Sequence, residues 1–150
     1  MSLGEELARI DTLFIDTAPI IYFIEAHTVY GPLVKTVFES LDAGTRGGYT
    51  SVISLVEVLP KPVEAGHYKL ADKFREFLAH GKNMSMIEVS TEIADRAGVL
   101  RGKYPFLKTM DAIQIAAAIA VNADAFLTND KRIGKVKEIK FMILEDYAMK

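Results

Sequence analysis

The sequence predicts an α/β fold: a mainly parallel central sheet with helices on both faces, in three layers. Three observations predict it. Short apolar runs alternate with segments of helical period along the whole chain. The stretch from Met110 to Val121 is apolar nearly all round and rich in alanine, which suits a helix buried close to a sheet. Finally, four apolar stretches hand over to polar sequence at an acid: Asp16, Glu57, Asp111 and Asp130. In a parallel sheet with crossing helices such ends come to one edge, where α/β folds bind ligands.

Leu13 to Ile15 is too brief for a helix and fits a buried strand. Thr17 or Ala18 then caps a helix with Pro19 in its first turn. Tyr30-Gly31-Pro32 breaks the chain and starts another helix, on which Leu33, Val34, Val37, Phe38 and Leu41 mark one face. Gly44, Gly47 and Gly48 form a turn, and Tyr49 to Ile53 reads as a strand. Ser54 opens a helix that Pro60 and Pro62 interrupt. Leu70, Phe74, Phe77 and Leu78 mark an amphipathic helix ending near Gly81. Met84 to Val89 is a strand, after which Ser90 caps a helix through Ile93, Ala97 and Leu100. Thr109 caps the alanine-rich helix, and Ala125 to Thr128 and Ile139 to Leu144 are the last strands.

With 150 residues, 50% hydrophobic and 25% charged, the chain suits a single domain spanning 1–150 with a substantial core. It has no cysteine, so neither a disulfide framework nor a thiolate zinc site is available. Residues 1–12 carry Glu5, Glu6, Arg9 and Asp11 rather than a signal peptide's apolar run. No stretch approaches the roughly 20 apolar residues that cross a bilayer. A soluble cytoplasmic protein without a membrane partner is expected. The net charge of −2 does not advertise a nucleic-acid partner, but clustered acids account for part of it, and bound metals would reverse the local sign. Walker, dinucleotide-binding and nucleophile-elbow motifs are absent. His27, His67 and His80 lack a metal-ligand spacing and read as surface residues. Asp16-Thr17-Ala18 is not the Asp-x-Asp of a dehalogenase-type phosphotransferase.

Each acid has a plain structural reading. Asp16 precedes a helix start and can cap it. Ser54-Leu55-Val56-Glu57 matches the S-x-x-E capping box. Asp111 in a first turn suits the helix dipole, and Asp130 follows the turn-like Thr128-Asn129. Four independent caps, however, need not all be acids, since serine or threonine serves as well. Four carboxylates converging on one edge repel each other unless a hard divalent cation enters. That combination points to metal-dependent phosphodiester chemistry.

The flanking residues strengthen this reading. Asp16-Thr17 follows the first strand; Thr50, Ser51 and Ser54 precede Glu57; Asp111-Ala112-Ile113-Gln114-Ile115-Ala116-Ala117 opens the alanine-rich helix; Leu127-Thr128-Asn129-Asp130 ends a strand. In this order the segments resemble the PIN-domain family, including the VapC-like toxins, over most of the chain. One small departure is Gln114-Ile115 ahead of the alanines. The resemblance implies a PIN-like fold and a Mg2+- or Mn2+-dependent endoribonuclease. Asp16, Glu57, Asp111 and Asp130 would be its catalytic and metal-binding residues, with Thr17, Thr128 and Asn129 in support. It also implies an RNA substrate, a homodimer and a cognate antitoxin partner. Lys108, Lys131 and Arg132 are candidate contacts to an RNA backbone, with Lys135, Lys137 and Lys103 of the same kind; a solvated helix end explains them equally well. Two rival readings are a PIN-like module that binds RNA or protein without cutting, and an RNA-processing nuclease with no toxin role.

Overall fold

The computed structural model describes residues 1–43 and 47–148. In chain order the elements are α1 (Leu3–Leu7), β1 (Thr12–Ile15), α2 (Thr17–Ile24), α3 (Tyr30–Asp42), β2 (Gly47–Ser51), α4 (Val52–Val58), α5 (Pro60–Glu64), α6 (Tyr68–His80), β3 (Met84–Ile87), α7 (Thr91–Lys103), α8 (Thr109–Ala120), β4 (Ala125–Thr128), a 3₁₀ turn (Ile133–Lys135), β5 (Phe141–Ile143) and α9 (Glu145–Ala148).

The strands form one five-stranded sheet in the order β3-β2-β1-β4-β5. Every pairing is parallel, with Phe14 opposite both Tyr49 and Phe126 in the centre. Alternate residues of each strand face opposite sides. Leu13, Ile15, Ala125, Leu127 and Met142 meet side chains of α1 to α4, α6 and α9 in one apolar layer. Phe14 and Phe126 point the other way, against α7, α8 and the 3₁₀ turn. The expected three-layer α/β arrangement is therefore what forms. Alanines 112, 116, 117 and 118 let α8 lie close on the sheet, and all four are fully buried.

Several boundaries differ from the sequence reading, each for a local reason. The cap of α2 is Asp16, one residue before the expected Thr17 or Ala18; its carboxylate accepts the Thr17 N–H at 2.8 Å. The second strand lies two residues earlier than Tyr49–Ile53. Gly47 and Gly48 are its first residues rather than a turn, while Gly44 lies outside the described residues. Val52 and Ile53 look β-forming, but the Ser51 hydroxyl accepts the Ile53 N–H at 3.1 Å and starts α4 there. Ser54 consequently sits inside α4, and the S-x-x-E capping box does not form. Lys108, not Thr109, holds the cap position of α8. The third and fifth strands are shorter than expected, and α1 and α9 were not anticipated. These two terminal helices are joined where the Tyr147 hydroxyl donates to Glu6.

Phe14 and Phe126 stack with centroids 5.2 Å apart across the central strand pair, and neither is exposed. Phe126→Ala should cost about 3–5 kcal/mol of stability by leaving a cavity under α8. Urea unfolding measures this; a loss under about 1 kcal/mol would mean that α8 collapses onto the gap.

Candidate active site at the carboxyl edge of the sheet

The strand order reverses between β1 and β4, so the crevice beyond their carboxyl ends is the topological switch point. A cavity of about 350 Å³ opens nearby, lined by Asp16, Thr17, Ala18, Ile21, Tyr22, Glu57, Asp111, Thr128, Asn129 and Asp130. All four acids singled out from the sequence thus share one cavity wall. Asp16 directly follows β1 and Asp130 lies two residues past β4. Glu57 is in the second turn of α4, not the first as expected, and Asp111 is in the first turn of α8.

Asp16 is fixed from two sides. The Thr17 N–H donates to Oδ1 at 2.8 Å and the Thr128 hydroxyl to Oδ2 at 2.8 Å. Its own N–H continues the ladder to Leu127 at 2.9 Å. Burial is the main cause that pushes its carboxyl from 3.8 up to about 6; the Glu57 and Asp111 charges push the same way, against the Thr128 and Thr17 hydrogen bonds.

Beneath the acids lies a buried polar layer. Thr50, Ser54 and Thr17 form a chain of hydroxyl contacts at 2.8 and 2.9 Å, and Thr17 donates to Glu57 Oε1 at 2.7 Å. Thr17 gives its one hydroxyl proton to Glu57, so the chain has a direction: Thr50 donates to Ser54, Ser54 to Thr17, Thr17 to Glu57. Gln114 ties this chain to α8. Its Nε2 donates to Ser54 at 2.9 Å and to Thr17 at 3.3 Å, while its Oε1 accepts from Ser51 at 2.5 Å. Among the described residues no buried side-chain polar atom lacks a partner. The sequence reading passed over Gln114 as a tolerated departure. The signal was present: one amide in an otherwise apolar helix face.

Asp111 and Asp130 meet through a cation. Arg132 Nη2 donates to Asp111 Oδ2 at 2.8 Å and to Asp130 Oδ2 at 3.0 Å. The Arg132 N–H also donates to Asp130 Oδ1 at 2.9 Å. Arg132, expected as an RNA-backbone contact or a solvated helix end, lies on the acids. Lys131 turns away to Glu145 and Asp146, 3.5 Å from each. Lys103 pairs with Glu138 at 3.0 Å, and Lys108 is exposed at the start of α8. Asn129 does not bond to Asp130. Its Oδ1 accepts the Glu145 N–H at 2.9 Å and its Nδ2 donates to the Tyr22 hydroxyl at 3.3 Å.

The donor set suits a hard cation, since the carboxylates and hydroxyls that line the cavity are oxygen donors. The acids are not drawn into a tight cluster: among the described residues no three acid or histidine side chains are grouped for metal ligation.

An oxygen-rich cavity at the switch point of a parallel sheet places the molecule in the α/β class, whose ligand sites lie at that edge. The chain belongs to the PIN-domain family, whose profile matches residues 13–139. No curated protein sequence matches it. Among solved structures, the fold is similar to a VapBC2 structure from Rickettsia felis bound to a DNA fragment from its promoter, with TM-score 0.69 and 18% identity over 88% of this chain and 98% of that one. It is similar to DNA-bound VapBC from Salmonella typhimurium, with TM-score 0.67 and 14% identity over 89% and 98% of the two chains. It also resembles VapC20 of Mycobacterium tuberculosis, a sarcin-ricin loop cleaving toxin, with TM-score 0.66 and 14% identity over 85% and 98%. At these identities the likeness speaks for the fold.

Two predictions follow from this geometry. The raised Asp16 pKa means that the folded protein holds this proton more tightly than the unfolded chain. The associated stability is present below about pH 4 and lost as pH rises through about 6. In chelator, Asp16→Asn should therefore stabilise the protein by about 2–3 kcal/mol near pH 7.5 and by less than half of that near pH 4.5. An equal effect at both pH values would show that charge burial is not the cause. Gln114→Leu keeps the volume but strips partners from Ser51 and Ser54; chemical denaturation should show a loss of about 1–3 kcal/mol.

Proposed function

We propose that this chain is a single PIN nuclease domain over residues 1–150: a Mg2+- or Mn2+-dependent endoribonuclease, the toxin of a toxin-antitoxin pair. The observation that carries the reading is that Asp16, Glu57, Asp111 and Asp130 line one cavity at the switch point of a PIN-family chain. Similarity to VapBC complexes supports an antitoxin partner. Similarity to a toxin that cleaves the sarcin-ricin loop supports RNA as the substrate. No helix among the described residues is long and apolar enough to cross a membrane, and the site of action we propose is the cytoplasm. The homodimer is the assembly we expect.

Asp16, Asp111 and Asp130 would hold the cation, with Glu57 a ligand directly or through water. A divalent cation held there would acidify water and offset charge building on the phosphate. The chain's own groups set the rest. Thr17 and Thr128 keep both oxygens of Asp16 oriented, and the hydroxyl chain through Ser54 fixes Glu57 by Oε1. Glu57 Oε2 is the oxygen left to take a proton from an attacking water. The floor of Thr50, Ser51, Ser54 and Gln114 lets these carboxylates stand rigidly without losing buried hydrogen bonds.

Calorimetric titration with Mn2+ tests the reading without any guess about the RNA. Wild type should bind saturably and Asp111→Asn at least about tenfold more weakly, the loss of one ligand charge. On a structured RNA panel with Mg2+, wild type should cut and Asp130→Asn should lose at least about a hundredfold in rate. Saturable cation binding without any cleavage would favour the non-cleaving module. Cutting of precursor RNAs alone, with no toxicity on expression, would favour the processing nuclease.

A further inference from the structure

Resting on the nuclease reading, we propose that Arg132 is a built-in counter-ion that occupies Asp111 and Asp130, so that divalent cation binding and release of this arginine form one coupled exchange. The contact is directional rather than diffuse. One nitrogen, Nη2, is shared by Asp111 Oδ2 and Asp130 Oδ2 at 2.8 and 3.0 Å. The other, Nη1, donates to the Phe106 carbonyl at 2.6 Å. The Arg132 N–H donates back to Asp130 Oδ1 at 2.9 Å, a turn that starts the side chain beside the carboxylate it pairs with. Local backbone geometry therefore aims the guanidinium, which the neighbouring Lys131 does not share.

The exchange follows from the oxygens involved. Asp111 and Asp130 come from separate elements, and the oxygens that would ligate a cation include the two that Nη2 occupies. Small hard cations sit roughly 2.1 Å from carboxylate oxygen, closer than either nitrogen here. A cation taking both oxygens displaces Nη2 outright. The Arg132 side chain remains 35% exposed, so it can leave toward solvent without repacking the core. Its single charge partly neutralises a pair that a divalent ion neutralises fully. Release also breaks the tie to Phe106, so the segment between α7 and α8 is coupled to the same event.

The test uses the full chain. Mn2+ titration calorimetry on wild type, Arg132→Ala and Arg132→Lys reads the competition. Arg132→Ala should bind about tenfold more tightly than wild type, because the cation no longer has to displace a guanidinium from Asp111 and Asp130. Arg132→Lys keeps the charge and should stay close to wild type. In parallel, the Arg132 Nε–H resonance of wild type should shift when diamagnetic Mg2+ saturates the site, while those of Arg75 and Arg96 stay in place. Unchanged or weaker binding by Arg132→Ala, or a static Arg132 resonance at saturation, overturns the exchange while leaving the nuclease reading intact. Absence of Mn2+ binding by wild type and both variants overturns both. If Arg132→Ala does not fold, the lysine variant and the resonance decide.

Discussion

Like charges drawn to one edge of a parallel sheet are the constraint around which this molecule is organised. The topology brings strand ends together, and the sequence places acids at or near those ends. Each acid is then managed differently. Asp16 takes two hydrogen bonds and keeps a raised pKa. Glu57 is tethered by a directed chain of hydroxyls. Asp111 and Asp130 share a guanidinium. Repulsion is never removed; it is distributed among a buried proton equilibrium, a hydroxyl relay and an ion pair.

The polar floor explains how this crowding coexists with a dry interior. Thr50, Ser51, Ser54, Gln114 and Thr128 are all buried, directly behind the acids and between α4, α8 and the sheet. A half-satisfied layer there would be worse than an apolar one. With every partner in place it acts as a rigid mount, so that displacement of α8 would be felt at Glu57 through Gln114, Ser54 and Thr17. Residues that touch no ligand thereby help to determine where a carboxylate stands.

Much of the fold was legible because its signals are local. The apolar run at Leu13–Ile15, the Ser90 cap, and the Ala125–Thr128 strand bounded by turn residues are read correctly from neighbours in sequence. The boundary at Ser51 was not, since Val52 and Ile53 favour a strand and only the hydroxyl cap overrules them. At the site, the four acids that order and flanking residues single out line one cavity, and the family they suggest is the one the chain belongs to. The roles of Gln114 and Arg132 were not readable. Each depends on a contact distant in sequence, Gln114 with Thr17 and Arg132 with Asp111, where no periodicity or short motif carries information.

The register of the central strand pair has a further consequence. Leu13 lies beside Ala125, and Asp16 is held by Thr128. β1 therefore waits for β4, its partner from far along the chain, and long-range parallel pairing of this kind is slow to form. Two of the four acids and the arginine that bridges them arrive late as well. A nascent chain therefore has no assembled cavity until Asp130 has emerged, long after Asp16, and the two walls of the site cannot form as a local unit.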